Sequence, residues 1–176
     1  MKIPTVAIVG RPNVGKSTIF NKLIGKKISI IEDTPGVTRD RIYGTVTYEN
    51  YKFHLIDTGG IDVSEEDFNN EIIIQANIAI EEADIILFVV DGLEELNQND
   101  YVIRDILMKS GKRVIVVVNK LDNVKREENI YNYYELGFSE VLPVSGEHSL
   151  GLTDLLDSIT KDFNETAEEN EVDDRI

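Results

Sequence analysis

The order of apolar patterns in the 176 residues predicts an α/β domain built on a mainly parallel sheet with helices on both faces. Three observations carry this. Continuous apolar runs at Thr5–Val9, 85–90 and 114–118 read as strands covered on both sides. Segments with helical spacing of apolar residues lie between them. Glycine, acid and amide residues gather where the runs end, the place where such sheets bind ligands.

Taken in order, Thr5–Val9 ends at Gly10, and Gly10 to Ser17 form a glycine-bounded loop. Phe20, Leu23 and Ile24 mark one face of a helix over 17–24, with Gly25 as its stop. Residues 26–41 show no period and are read as a long loop, which in a compact domain is usually functional. Two alternating runs, 42–49 and Tyr51–Asp57, split at Asn50, predict a hairpin. After a loop to about Asp67, Ile72, Ile73, Ala76, Ile80 and Ala83 form a helical face. Asn97 with Asp100 three residues on predicts a capped helix to Lys109, stopped by Gly111. A short helix is expected at 127–134, a last strand at 140–144, and a final helix carrying Leu152, Leu155, Leu156, Ile159 and Phe163. The expectation is six strands, one antiparallel edge strand among them, and about five helices, in one domain over residues 1–163.

Composition narrows the function. Apolar residues make up 41% and charged residues 29%, ordinary for a globular domain. No apolar run is long enough to span a bilayer and no signal peptide is evident, so a cytoplasmic protein without direct membrane contact is expected. There is no cysteine, which removes disulfides, thiol catalysis and cysteine metal sites. The net charge of −15 argues against strong nucleic-acid binding by this domain alone. Residues 164–176 hold six acids and one arginine and read as an acidic linker or disordered tail.

Four motifs carry chemistry. Gly10-Arg11-Pro12-Asn13-Val14-Gly15-Lys16-Ser17 fits the phosphate loop GxxxxGK[ST]. Its backbone amides, with Thr18 on the helix that follows, would surround phosphates. Lys16 would reach the β- and γ-phosphates and Ser17 would ligate magnesium. Asp57-Thr58-Gly59-Gly60 supplies a carboxylate to hold magnesium through water and a glycine amide, that of Gly60, to face the γ-phosphate. Ile61 follows, where a water-handling side chain is often found, and it can neither donate nor accept a proton. Asn119-Lys120-Leu121-Asp122 ends a strand. Asp122 would accept from guanine N1–H and the 2-amino group, Asn119 would read N7, and the Lys120 stem would cover the base. This excludes an ATP-using kinase. Ser145-Gly146-Glu147 would add an amide for guanine O6 and a hydroxyl to brace the loop. Thr38, in the long loop, would offer its hydroxyl to magnesium and its amide to the γ-phosphate. Arg39 and Arg41 are read as exposed loop charges, with a built-in arginine finger as the rarer alternative. His148 is read as structural or solvent-facing, and His54, inside a strand pattern, as structural.

Together VAIVGRPNVGKST, EDTPGVTRDR, LIDTGGID, NKLDN and SGEHSLGL resemble the Ras-like translation-factor-related GTPases. Within them the chain resembles the first domain of bacterial ribosome-assembly GTPases that carry two GTPase domains in tandem and then a KH-like domain. The resemblance covers roughly residues 2–163. It implies a Ras-like P-loop fold, slow GTP hydrolysis with Mg2+, and action on the large ribosomal subunit together with the second GTPase and KH-like domains in cis. Neither a second phosphate loop nor a KH-like segment is present in these 176 residues. The resemblance also bears on Ile61, because some relatives with an apolar residue there use a phosphate-loop asparagine to help bind K+. Asn13 holds that position here, and its alternative is a hydrogen bond within its own loop. The rivals are a GTP-sensing module with negligible hydrolysis and the GTPase domain of a membrane iron transporter.

Overall fold

The computed structural model describes residues 3–25, 30–32, 41–58, 68–121 and 130–163. Seven strands form one sheet in the order β2-β3-β4-β1-β5-β6-β7. They are β1 (Thr5–Val9), β2 (Ile30–Glu32), β3 (Arg41–Tyr48), β4 (Tyr51–Asp57), β5 (Ile85–Asp91), β6 (Arg113–Asn119) and β7 (Val141–Pro143). Only β3 runs against the others, pairing antiparallel with both β2 and β4. All six expected strands are present. The seventh, β2, adds three residues beyond β3, inside the segment read from sequence as loop. A strand so short leaves too few residues for its alternation to show.

The central strands explain themselves by period. Every residue of β5 is buried. Ile86, Phe88 and Val90 enter one core, and Ile85, Leu87 and Val89 enter the other. β1 and β6 divide their side chains the same way, as a pleat with two covered faces requires. Helices α2 (Phe68–Glu82) and α3 (Gln98–Ser110) cover the first face, and α1 (Lys16–Ile24) and α4 (Leu152–Thr160) cover the second. Phe88 is fully buried and meets Phe138 edge-on at 6.3 Å between ring centres. Truncating such a side chain to alanine costs about 3–5 kcal/mol.

Helix ends follow the sequence signals. Asn97 caps α3 through a capping box: its side chain accepts from the Asp100 amide while the Asp100 carboxylate accepts from the Asn97 amide. Gly25 and Gly111 end α1 and α3 with φ of 75° and 71°. The helix expected at 127–134 lies partly outside the described residues, and its described part is a 3₁₀ helix, Ile130–Leu136. Tyr133 and Leu136, three apart, are its buried residues, and a three-residue turn stacks that spacing on one side.

Candidate functional site

Parallel strands that all point one way bring their following loops to one edge of the sheet. Here the carboxyl ends of β1, β4, β6 and β7 lie along that edge. The phosphate loop is held from several sides. Val14 is fully buried and pins its middle in the core. Asn13 and Gly15 take positive φ, 69° and 97°, turning successive peptide units. Gly10 lies so close to β5 that a Cβ would stand 2.6 Å from the Val89 carbonyl oxygen. Pro12 is half-buried at the loop's turn, and Ser17 and Thr18 are exposed at the start of α1.

Lys16 is buried, and its ammonium donates to the Gly10 and Arg11 carbonyls at 2.7 and 2.8 Å. Burial lowers its pKa to about 8, although the charges of Asp57 and Glu71 work in the opposite sense. At the next residue, Ser17 Oγ donates to Asp57 Oδ2 at 3.2 Å. A hydroxyl and a buried carboxylate from two elements are the hard oxygen donors that magnesium takes, so the residues present fit that ion. Thr58 turns away from this edge: its hydroxyl donates to the Ile8 carbonyl at 2.6 Å, with Gln75 Oε1 at 3.3 Å.

The side expected from sequence to read a base is tied to the phosphate loop. Asn119 is buried, donates from Nδ2 to the Val14 carbonyl at 2.8 Å, and accepts the Gly146 amide on Oδ1 at 2.9 Å. One side chain thus joins three loops, and these bonds use one of its two Nδ2 hydrogens. Any Cβ on Gly15 would collide with the same amide. Lys120, at φ 70°, donates to the Asn13 carbonyl and to Asp91 Oδ2, both at 2.9 Å. Its stem therefore spans from β6 to the phosphate loop. The Ser145 hydroxyl accepts the His148 amide at 3.3 Å and braces its loop, while Ser145 and Leu150 exchange backbone bonds. Gly15, Thr18, Leu93, Asn119, Lys120, Ser145 and Glu147 line a cavity of about 190 Å³ between the two sides. Thr38, Arg39, Gly59, Gly60, Ile61 and Asp122 lie outside the described residues.

Some contributors are not evident from the motifs. The Arg11 side chain leaves the phosphate loop and pairs with Asp100 at 3.2 Å and Glu94 at 3.1 Å, anchoring the loop to the start of α3. Asp91 ends β5 and holds Lys120. A buried acid closing an apolar run was the available signal for it. His54 is exposed on β4, with Nδ1 3.4 Å from Thr45 Oγ1, and His148 is exposed on its loop.

A lysine-centred phosphate loop, a hydroxyl–carboxylate pair for a divalent ion and a braced base pocket on this sheet define a P-loop nucleotide-binding domain of the Ras-like kind. Residues 5–120 match the family described as 50S ribosome-binding GTPase, and the chain belongs to that family. It is 52% identical over 169 residues, 96% of its length, to GTPase Der of Staphylococcus epidermidis, of which it covers 39%. The identity is also 52% over the whole chain to GTPase Der of Macrococcus caseolyticus, with 40% of that protein covered. The chain thus spans about two fifths of these relatives' length. Among solved structures, Aquifex aeolicus Era bound to GDP·AlF4− superposes with a TM-score of 0.73 at 34% identity, over 92% of this chain and 57% of that one. The G domain of the T. maritima FeoB iron transporter gives 0.69 at 28% identity, over 91% and 98%. No described helix is long and apolar enough to cross a membrane.

Proposed function

We propose that this domain binds Mg·GTP and Mg·GDP, hydrolyses GTP slowly, and changes the loops at 26–41 and 58–67 between the two states. The observation that supports the reading is Asn119, whose one amide joins the phosphate loop to the Ser145-Gly146 loop around a cavity next to Lys16. In the reaction, Lys16 and the loop amides would hold the β- and γ-phosphates, while Ser17, Asp57 and Thr38 would hold the ion. The Gly60 amide, outside the described residues, would face the γ-phosphate, and water would attack in line. Magnesium supplies charge neutralisation when bound. Asp122, Asn119, Lys120 and an amide of the Ser145-Gly146-Glu147 turn select guanine. Since the Gly146 amide is engaged by Asn119, the Glu147 amide is the better candidate for O6.

The full protein is, on this reading, a tandem GTPase acting on the large ribosomal subunit. Residues 1–163 are its first domain, and residues 164–176 lead toward a second GTPase domain and a KH-like domain. The identity to Der over the whole chain favours this over the iron-transporter reading, whose G domain is 28% identical. Potassium beside Asn13 would supply the charge that a glutamine or arginine supplies elsewhere, leaving Ile61 as packing. The testing experiment is single-turnover hydrolysis of Mg·GTP in potassium and in sodium at equal ionic strength, with Asn13→Ala alongside. Measurable hydrolysis that potassium accelerates only in wild type supports the whole scheme. Hydrolysis indifferent to the cation removes potassium alone. Tight GTP binding without hydrolysis leaves a nucleotide-sensing module.

A further inference from the structure

Asp91 ends β5 and is 3% exposed, and none of the steps proposed above uses it. Both of its carboxylate oxygens are engaged, and each holds a residue that lines the cavity beside the phosphate loop. Oδ1 accepts the Leu93 amide at 2.8 Å, and Oδ2 accepts the Lys120 ammonium at 2.9 Å. The same ammonium donates to the Asn13 carbonyl at 2.9 Å. Lysine is a flexible stem that ends in a compact charge, and it has much rotamer freedom to lose. The Lys120 side chain is 37% exposed, yet its tip is held from two sides. A bond to a neutral carbonyl holds such a tip weakly, whereas a bond to a buried carboxylate is charge-assisted and stronger. Asp91 is itself tied down, because its carbonyl accepts the Tyr133 hydroxyl at 2.8 Å from the 3₁₀ helix.

We propose that Asp91 is a positioning residue that slows nucleotide release by fixing the Lys120 stem along the base cavity before the nucleotide arrives. The proposal rests on reading this cavity as a guanine site with Lys120 against the base. A stem ordered in advance loses little rotamer freedom on binding, so the complex is not weakened by the entropy of ordering it. A stem anchored at its tip is also harder to swing aside, so the effect falls mainly on dissociation. A direct effect of the Asp91 charge has the opposite sign. Taking a negative group away from an anionic ligand strengthens binding, so a faster release on losing that charge points to Lys120.

The test is release of fluorescently labelled GDP from the 176-residue chain in Mg2+, chased with unlabelled GDP, for wild type, Asp91→Asn, Lys120→Met and the double variant. Thermal unfolding without nucleotide establishes that each variant is folded. Asparagine keeps the size of Asp91 and an oxygen for the Leu93 amide, and methionine keeps an apolar stem against the base. Asp91→Asn should release GDP about tenfold faster, the effect of freeing one rotamer-rich side chain. With Lys120→Met already in place, the same substitution should change release by less than about twofold, because the residue it acts through is gone. Lys120→Met leaves the Asp91 carboxylate unpaired, so Lys120→Gln, which can still donate to it, serves as a second background with the same expectation. Release from Asp91→Asn at the wild-type rate or slower overturns the proposal. So does an acceleration that persists in both Lys120 backgrounds, since Asp91 would then act through the Leu93 turn or the fold alone. In either case a wild type that binds labelled GDP leaves the guanine-site reading standing. A wild type that binds none fails that reading, and the proposal fails with it.

Discussion

Asn119→Ala separates bracing from base recognition. The side chain makes two hydrogen bonds, to the Val14 carbonyl at 2.8 Å and from the Gly146 amide at 2.9 Å. Both partners are in buried residues, so truncation leaves a carbonyl and an amide unpaired away from water. Each such orphan costs about 1–3 kcal/mol, which gives about 2–4 kcal/mol once part of the loss relaxes. For a domain of this size, that lowers Tm by about 6–12 °C. The assay is thermal unfolding of the nucleotide-free domain followed by circular dichroism, so that lost ligand binding cannot contribute. Asn119→Asp keeps an acceptor for Gly146 but turns a carboxylate oxygen toward the Val14 carbonyl, and should be no more stable than the alanine variant near neutral pH. If Asn119→Ala melts within 1 °C of wild type while losing GTP affinity, the brace is not a stabilising element, and Asn119 serves the base alone.

Asp122→Asn should move preference from GTP toward XTP, because an amide can donate to the C2 carbonyl of xanthine; competition binding with unchanged selectivity would refute the base assignment. Arg11→Ala should destabilise the domain by about 3 kcal/mol, because it strips the guanidinium from a buried carboxylate, a loss that urea unfolding reads directly. Burial already raises the Asp100 pKa, so its charge penalises the fold above that value and the penalty fades as pH falls through it; the Arg11→Ala deficit should therefore shrink in acid. Glu140 is held to about 2 by hydrogen bonds from Arg113 and Lys161. Its contribution is present above the unfolded carboxylate value of 4.5 and is lost as pH falls toward 2, so Glu140→Gln should narrow the stability gap to wild type across that window.

Much of this was legible in the sequence because the chemistry is local. The phosphate loop, Asp57 and Asn119-Lys120 are contiguous strings at the ends of strong apolar runs, and both the runs and their ends are observed. The capping box at Asn97 and the glycine stops were readable for the same reason. What escaped depends on tertiary contact. Arg11 looks like a filler position of the phosphate loop, and only the fold brings it to Asp100, 89 residues away. Gln75 and Glu71 look like the polar side of a helix, yet α2 buries both. β2 is too short to announce itself, and the 3₁₀ helix carries aromatics at a spacing that an α-helix could also bury.

Phe163 closes the described chain by packing edge-on against Tyr51 and Phe53, with ring centres at 6.4 and 6.0 Å. Pro4, Asp84, Ile85 and Arg113 line a cavity with it, all at the starts of strands whose far ends carry the nucleotide loops. A strand of five to seven residues separates the two poles by about 17–23 Å. A dye, an affinity handle or a surface anchor joined to the chain just past Phe163 would therefore begin on the pole away from the nucleotide. Immobilised in that orientation, the domain would keep its loops facing the solution, which is the arrangement a nucleotide-exchange sensor requires.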